Sequence, residues 1–266
     1  MKTKLGRQEM LMLAYLQMRK WQMVKTGDLT GPLQLSPEQE RELFRRMARG
    51  GIIARVRPGF YLVPERLPLG GAWTPDEALA LNTLIGEKQG RYQICGPNAF
   101  NRYGLYDQIP NRVYAYNNRF SGDRTVGAVA LTLIKVADER LGDTEEIEMG
   151  DGQIAVYASR VRTLVDAVYD WSRFNSLPRG YDWIRKELAA GRVGAAELVD
   201  VALRYGDKGS IRRIGALLEG QGVEEGLLKK LEAALTPSKG LIPWIPTRPK
   251  RGKIDRRWGV VLNVTS

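Results

Sequence analysis

The side chains that most often carry acid–base, nucleophilic and metal chemistry are nearly absent from this sequence. Its 266 residues include no histidine and a single cysteine, Cys95. These counts exclude Ser-His-Asp and Cys-His catalysis, histidine-ligated metals and a zinc site made of four thiolates. They also exclude an intrachain disulfide, which fits a reducing compartment. Only carboxylate, lysine or tyrosine chemistry is left for an enzyme.

The carboxylates do not follow a pattern typical of a metal-dependent enzyme. Acidic residues are densest from Asp143 to Asp151, but no partner motif for holding Mg²⁺ accompanies them. A solvated loop around a hairpin turn is therefore the better interpretation. Asp166 and Asp170 share one helix face, where Arg162 and Arg173 can pair with them. We expect no catalytic residue, no cofactor and no bound metal.

Positive charge is concentrated at the two ends of the chain, whose net charge is +11. Residues 1–70 hold 13 Lys and Arg against 6 Asp and Glu, and residues 239–266 hold 7 against 1. The stretch between them is nearly neutral, with 21 against 23. Clustered positive charge is typical of proteins that bind a polyanion, most often nucleic acid, although it also serves solubility.

The basic N-terminal part contains a clearly marked helix. Ser36 can cap this helix, and Gln39 can complete a capping box with it. Pro37 suits the first helical position, where a missing N–H costs nothing. The helix is expected to end near Arg49, because a glycine pair follows there.

Apolar and basic residues occupy opposite faces of that helix. At 100° per residue, Leu43, Phe44 and Met47 project toward a core. The residues that project the other way are arginines, with Arg46 at their flank: Arg41, Arg45 and Arg49. Glu40 falls on the apolar side, which does not fit the pattern, although a residue in the first turn can point out past the edge of the core.

A β-hairpin is predicted directly after the basic helix. Residues 52–56 and 60–63 have the composition of two strands around the turn Arg57-Pro58-Gly59. An apolar helix is predicted over Gln8–Lys20, and a short second helix over Thr26–Leu29. This order of elements is typical of a winged helix-turn-helix, whose third helix enters the major groove while its wing contacts the DNA backbone.

The side chains expected to contact DNA are polar or basic and lie on these elements: Lys25, Thr26, Ser36, Gln39, Arg41, Arg45, Arg46, Arg49, Arg55 and Arg57. A possible secondary basic patch lies near the C-terminus: Lys250, Arg251, Lys253, Arg256 and Arg257. The alternative for the first set is a solvated basic face, since Glu38 and Glu42 lie beside the arginines and would repel phosphate. The alternative for the second set is a linker whose last strand docks on the middle of the chain.

The predicted fold class is α+β, in two domains. Residues 1–66 form the winged helix-turn-helix, and residues 67–266 form a mixed domain that is β-rich over 92–158, helical over 159–236, and basic and proline-rich over 237–266. The apolar first helix suits a homodimer contact, which would match repeated half-sites in DNA. No apolar run is long enough to span a membrane, and no signal peptide is evident, so a cytoplasmic location is expected.

Several motifs in this order resemble the AbiEi-type antitoxins of type IV toxin–antitoxin systems. The N-terminal part is similar in its Gly-Gly-Ile-Ile and Gly-Phe-Tyr-Leu-Val-Pro stretches. The middle part is similar through ICGPNAFNRYGLYDQIPNRVYAYNN, and ASRVRTLVDAVYDW contains an Arg-Thr-Leu-Val-Asp motif from Arg162 to Asp166. The resemblance covers nearly the whole chain, and the order of the motifs is its most specific aspect.

The resemblance implies a DNA-binding transcriptional regulator. Its winged helix would bind operator repeats and repress the operon that encodes it. Its C-terminal domain would counter a nucleotidyltransferase-like toxin, without a stable complex, in a system linked to abortive infection by phage. Two alternatives remain open from the residues: an enzyme that processes nucleic acid and uses the winged helix for targeting, and a scaffold that binds an acidic partner.

Overall fold

The computed structural model describes residues 5–68, 71–149, 152–236 and 240–263. In these residues the chain is a mixed α+β protein, as predicted. Its helices are α1 Arg7–Met18, α2 Pro37–Arg49, α3 Glu77–Gly86, α4 Pro97–Arg102, α5 Arg160–Tyr169, α6 Trp171–Phe174, α7 Arg179–Ala189, α8 Ala195–Tyr205, α9 Lys208–Gly220 and α10 Glu225–Ala233. Its strands are β1 Met23–Lys25, β2 Ala54–Arg57, β3 Phe60–Leu62, β4 Tyr92–Ile94, β5 Val113–Asn117, β6 Gly122–Val126, β7 Val129–Lys135, β8 Thr144–Glu148, β9 Ile154–Ala158, β10 Ile242–Pro243, β11 Lys253–Asp255 and β12 Val260–Leu262.

The chain divides into two compact units, and the first is built from three separate stretches. It contains Met1–Tyr92, Asn111–Ala137 and Ile147–Ala155, whereas the second contains Gln93–Pro110, Asp138–Glu146 and Val156–Ser266. The elements predicted over residues 1–66 all fall in the first unit. The predicted domain division at residue 66 stays a prediction.

In the first unit, three strands are neighbours in the order β6-β7-β5. Within the first unit, β5 pairs in parallel with β7, and β6 pairs antiparallel with β7. Within the second unit, β4 and β9 pair in parallel through Ile94 and Tyr157. Strand β6 was not anticipated because its residues, GDRTV, are polar and exposed except for Val126. An edge strand of that kind carries no apolar alternation from which a strand could be predicted.

The N-terminal elements α1 to β3 share one apolar core. Strands β1, β3 and β2 form a small antiparallel sheet, in that order. The side chains of α1 and α2 cover it, and Phe44 stacks on Tyr61 with their ring centroids 4.9 Å apart. Leu43, Phe44 and Met47 are fully buried, so the apolar face predicted for α2 is confirmed.

Two expectations for this region are wrong, and they have one cause. Residues 26–34 form hydrogen-bonded turns where a short second helix was predicted. Glu40 does not point out past the core, because its side chain is fully buried. Its carboxylate accepts hydrogen bonds from the backbone N–H of Gly27 at 2.6 Å and of Leu29 at 2.8 Å. These N–H groups are satisfied by α2, so the turn region needs no helix of its own to pair them.

The second unit is organised around α5. This helix contacts α7, α8 and α9, and α10 packs on α8 and α9. The predicted docking of the C-terminal strand is confirmed for the described residues, since β12 pairs with β10 and β11 in a small sheet that contacts α9. Trp258 is buried against Gly215 of α9, where an added Cβ would lie 2.3 Å from its ring.

No helix in the described parts of the chain is both long enough and apolar enough to cross a membrane.

Candidate nucleic-acid interface

The start of α2 is fixed by the residues predicted to cap it. The hydroxyl of Ser36 accepts a hydrogen bond from the Gln39 backbone N–H at 3.2 Å, and the Gln39 side chain accepts one from the Ser36 N–H at 2.9 Å. The two side chains are exposed but are engaged in this capping box. Their observed role is to set the first turn of the helix rather than to extend into solvent.

Arg41, Arg45 and Arg49 form one row along the exposed face of α2. Their four-residue spacing places them one turn apart on a helix, and all three are exposed. Arg45 pairs with Glu42 at 2.8 Å, whereas Arg41 and Arg49 have no carboxylate partner within the described residues. A pair this exposed is weak in water, so Arg45 can exchange Glu42 for another anion at little cost.

Arg46, at the flank of this row, is held by α1. Its guanidinium donates to Glu9 at 2.9 Å. A backbone hydrogen bond from Gly6 and the guanidinium of Arg46 hold the pKa of Glu9 below its ordinary value. The carboxylate therefore stays charged at neutral pH, and Arg46 serves first to join α1 and α2.

The two hairpin arginines, Arg55 and Arg57, are exposed on β2. Arg55 has no carboxylate partner within the described residues and lines a cavity of about 570 Å³ together with Arg49, Thr74 and Thr125. Arg49 and Arg55 both line this cavity and have no carboxylate partner among the described residues, and guanidiniums are the side chains that bind phosphate best. Arg57 differs, because both oxygens of Glu87 accept hydrogen bonds from it.

Lys25 and Thr26 lie beside the tip of the hairpin. The Thr26 N–H donates to the carbonyl of Gly59 at 2.9 Å, which ties β1 to the hairpin turn. The Lys25 ammonium lies 5.4 Å from the centre of the Phe60 ring, within the range of a cation–π contact. Both side chains are exposed, and Lys25 and Arg57 lie near the same Phe60 ring, so the structure brings these residues to one region.

The C-terminal basic residues belong to the second unit and differ among themselves. Arg251, Lys253 and Arg256 are exposed, and Lys250 donates to the carbonyl of Leu241 at 3.2 Å. Arg257 instead pairs with three carboxylates, at 2.7–3.0 Å: Glu219, Glu225 and Glu232. These hydrogen bonds raise the pKa of Arg257. Its observed role is to fasten the C-terminal segment to α9 and α10.

The acidic run from Asp143 contributes no metal-ligand cluster among the residues that the structure describes. Asp143 accepts a hydrogen bond from the Ser159 hydroxyl at 2.6 Å, beside the start of α5. Burial and the nearby Glu145 carboxylate raise the pKa of Tyr103. Asp151, which would complete the run, lies outside the described residues.

Two carboxylate partners of these arginines, Glu9 and Glu87, were not anticipated from the sequence. Glu9 lies 37 residues from its partner Arg46, and Glu87 lies 30 residues from Arg57. Neither spacing is a helical repeat, so no local pattern could have paired them. The position of Glu87 directly after a helix was the only available signal, because an anion at a helix C-terminus usually needs a nearby cation.

Taken together, the described elements define an α+β protein with an exposed basic helix and hairpin in its first unit. No family model matches the chain, and no curated protein does. A solved structure that is similar to it is that of the RV2827C protein from Mycobacterium tuberculosis. The two share 15% sequence identity with a TM-score of 0.58, over 97% of this chain and 92% of that chain. At this identity the similarity concerns the fold alone.

Proposed function

We propose that this chain is a DNA-binding transcriptional regulator whose residues 1–66 act as a winged helix-turn-helix. The observation that carries the proposal is the outward row of Arg41, Arg45 and Arg49 on a helix that a β-hairpin follows directly. A helix of this kind fits the major groove, where arginines bind guanine edges or phosphates. The hairpin, with Arg55 and Arg57, would lie along the backbone and fix the position of the helix on DNA.

The resemblance to AbiEi-type antitoxins extends this proposal to a biological role. The protein would repress the operon that encodes it by binding operator repeats, in the cytoplasm and without a catalytic step of its own. It would also counter a nucleotidyltransferase-like toxin encoded by the same operon. The exposed apolar residues of α1, among them Met10, Leu11 and Met18, are the surface we propose for a homodimer on repeated half-sites.

The double variant R45A/R49A is expected to bind the DNA upstream of its own gene about 10–100-fold more weakly than the wild type. Two positive charges of the helix row are lost, so the slope of log Kobs against log salt should become shallower by about 2. Fluorescence anisotropy at several salt concentrations measures both quantities.

The matched control for this variant is R173A/R185A, which removes one exposed and one half-buried arginine of the second unit. Each of them pairs with an aspartate three residues earlier, as Arg45 pairs with Glu42. The control should bind like the wild type. Equal binding by R45A/R49A and the wild type, on the upstream DNA and on unrelated DNA, would contradict the proposed interface.

Growth assays separate the two proposed roles. Coexpression of the wild type with a nucleotidyltransferase-like toxin from the neighbouring gene is expected to restore growth. R45A/R49A should restore growth equally well while failing to repress a reporter placed behind the upstream DNA, because the variant leaves the second unit unchanged. A wild type that never restores growth would remove the antitoxin role and leave DNA binding as the function.

A further inference from the structure

The guanidinium of Arg57 is occupied on three sides. Its Nε donates to Glu87 Oε2 at 2.8 Å, and its Nη2 donates to Glu87 Oε1. Its Nη1 donates to the carbonyl of Pro58 at 3.3 Å. The guanidinium also lies 5.5 Å from the centre of the Phe60 ring. Arg57 is thus the hairpin arginine whose charge is neutralised by a bidentate carboxylate, the geometry that a phosphate would also take.

Glu87 is placed where it needs this partner. It is the C-cap residue of α3, and the negative end of a helix dipole disfavours a carboxylate there. Its side chain is 18% exposed, against 46% for Arg57, so Glu87 is the less hydrated member of the pair. Hydrogen bonds from Arg57, and the charges of Lys25 and Lys88, hold the pKa of Glu87 below its ordinary value. The carboxylate is therefore charged at neutral pH and bound to the arginine.

We propose that Glu87 competes with the DNA backbone for Arg57 and thereby limits how strongly the hairpin binds phosphate. This inference rests on the proposed function and concerns the regulation of the same interface. A phosphate that approaches Arg57 must displace a carboxylate of similar geometry, and the displaced Glu87 then lies beside another anion. The exchange gains little free energy, whereas Arg55 can accept a phosphate without breaking an ion pair.

The competition has a consequence for selectivity. Contacts to phosphate are the same on every sequence, so they strengthen specific and non-specific binding alike. A hairpin whose arginine is held by Glu87 contributes little to that uniform part of the affinity. Discrimination then depends more on the arginines of α2, which face the base edges in the proposed docking.

The variant E87Q tests the competition, because it removes the charge of the carboxylate while keeping the shape of the side chain. We expect E87Q to bind duplex DNA about 3–10-fold more tightly than the wild type at moderate salt. Its slope of log Kobs against log salt should be steeper by about 0.9, the value for one additional phosphate contact. The tightening should appear both on the upstream DNA and on a duplex of unrelated sequence.

Two comparisons make this result specific to Arg57. E65Q removes one exposed negative charge of the same unit at a residue bonded to Gln22, and it should leave affinity within about twofold of the wild type. In the double variant R57A/E87Q the gain should disappear. Thermal unfolding of each variant verifies that the fold is retained.

An E87Q variant that binds DNA equally to or more weakly than the wild type would overturn the proposal, as would a gain that persists in R57A/E87Q. Weaker binding would mean that Glu87 positions Arg57 for phosphate instead of withholding it. Failure of the proposed function gives a different result: the wild type and R45A/R49A would then bind every duplex equally. The first failure is seen in E87Q and R57A/E87Q and the second in R45A/R49A, so one series of titrations with all these variants separates them.

Discussion

Replacing Asp166 with alanine is expected to lower the free energy of unfolding by about 3–5 kcal/mol. Asp166 is completely buried. Both of its carboxylate oxygens accept a hydrogen bond from Arg162 Nε at 3.0 Å, and Oδ1 also accepts one from Arg140 at 2.8 Å. Its removal would leave the fully buried guanidinium of Arg162 without a counter-charge. Urea unfolding followed by tryptophan fluorescence measures the loss.

The effect should be large because Arg162 is fixed from several directions at once. Its other nitrogens donate to the backbone carbonyls of Arg140 and Gly142 at 2.9 Å, and its guanidinium lies 4.0 Å from the centre of the Tyr205 ring. Burial is the largest influence on the pKa of Asp166 and raises it, while the two guanidiniums act in the opposite direction. The pair therefore holds α5 to the segment before β8, and breaking it frees both.

The matched control is D182N, which breaks an i,i+3 ion pair with Arg185 on the surface of α7. Asp182 is 61% exposed, so the loss should stay below about 1 kcal/mol. If D166A and D182N had the same free energy of unfolding, the buried ion pair would contribute no more to stability than the surface pair. The Arg-Thr-Leu-Val-Asp motif, which spans this pair, would then need another explanation.

The variant E40A is expected to lower the free energy of unfolding by about 2–4 kcal/mol. It removes the carboxylate that accepts two backbone hydrogen bonds from the turns before α2, and it leaves the buried N–H of Leu29 unpaired. The turns also carry Thr26, so the region beside the hairpin tip should become mobile. Hydrogen exchange should show faster exchange of the Gly27 and Leu29 amides, and calorimetry should show a lower Tm.

Glu38 provides the comparison for Glu40, since both lie in the first turn of α2 and only Glu38 is exposed. E38A should cost less than about 1 kcal/mol, because it removes only a favourable interaction with the helix dipole. E40Q keeps one acceptor but places an amide N–H₂ against a backbone donor, so its loss should lie between those of E38A and E40A. Equal stability of E40A and E38A would show that the turns before α2 are stable without the hydrogen bonds to Glu40.

The sequence was sufficient to predict the elements whose signals are local. The capping box at Ser36, the apolar face of α2 and the Pro-Gly turn of the hairpin each depend on residues within a few positions of one another. Arg41, Arg45 and Arg49 were placed correctly on the exposed face for the same reason. The fold class followed from the alternation of such helical and strand segments along the chain.

The features that sequence reasoning missed depend on distant contacts. A charged residue such as Glu40 is not expected in a core. Its burial is favourable only because backbone N–H groups of the preceding turns donate hydrogen bonds to its carboxylate in the folded state. The pairing of Arg57 with Glu87 depends on where α3 packs. The basic residue Arg257 lies in a segment rich in proline and charge, yet three carboxylates from two helices bind it. None of these partners can be found by spacing alone.

The interleaving of the two units has a consequence for how the protein is made. The first unit includes residues 111–137 and 147–155, and the Gly127 N–H bonds to the Arg55 carbonyl at 3.4 Å, so the hairpin lacks this neighbour until translation has passed that point. At about 5–20 residues per second, a ribosome needs roughly 5–20 s to add the residues between Arg57 of the hairpin and residue 155. A nascent chain would thus carry its arginine row long before the unit that supports it is complete. If the chain represses its own operon, as proposed, its DNA-binding unit is complete only after residue 155 has been translated.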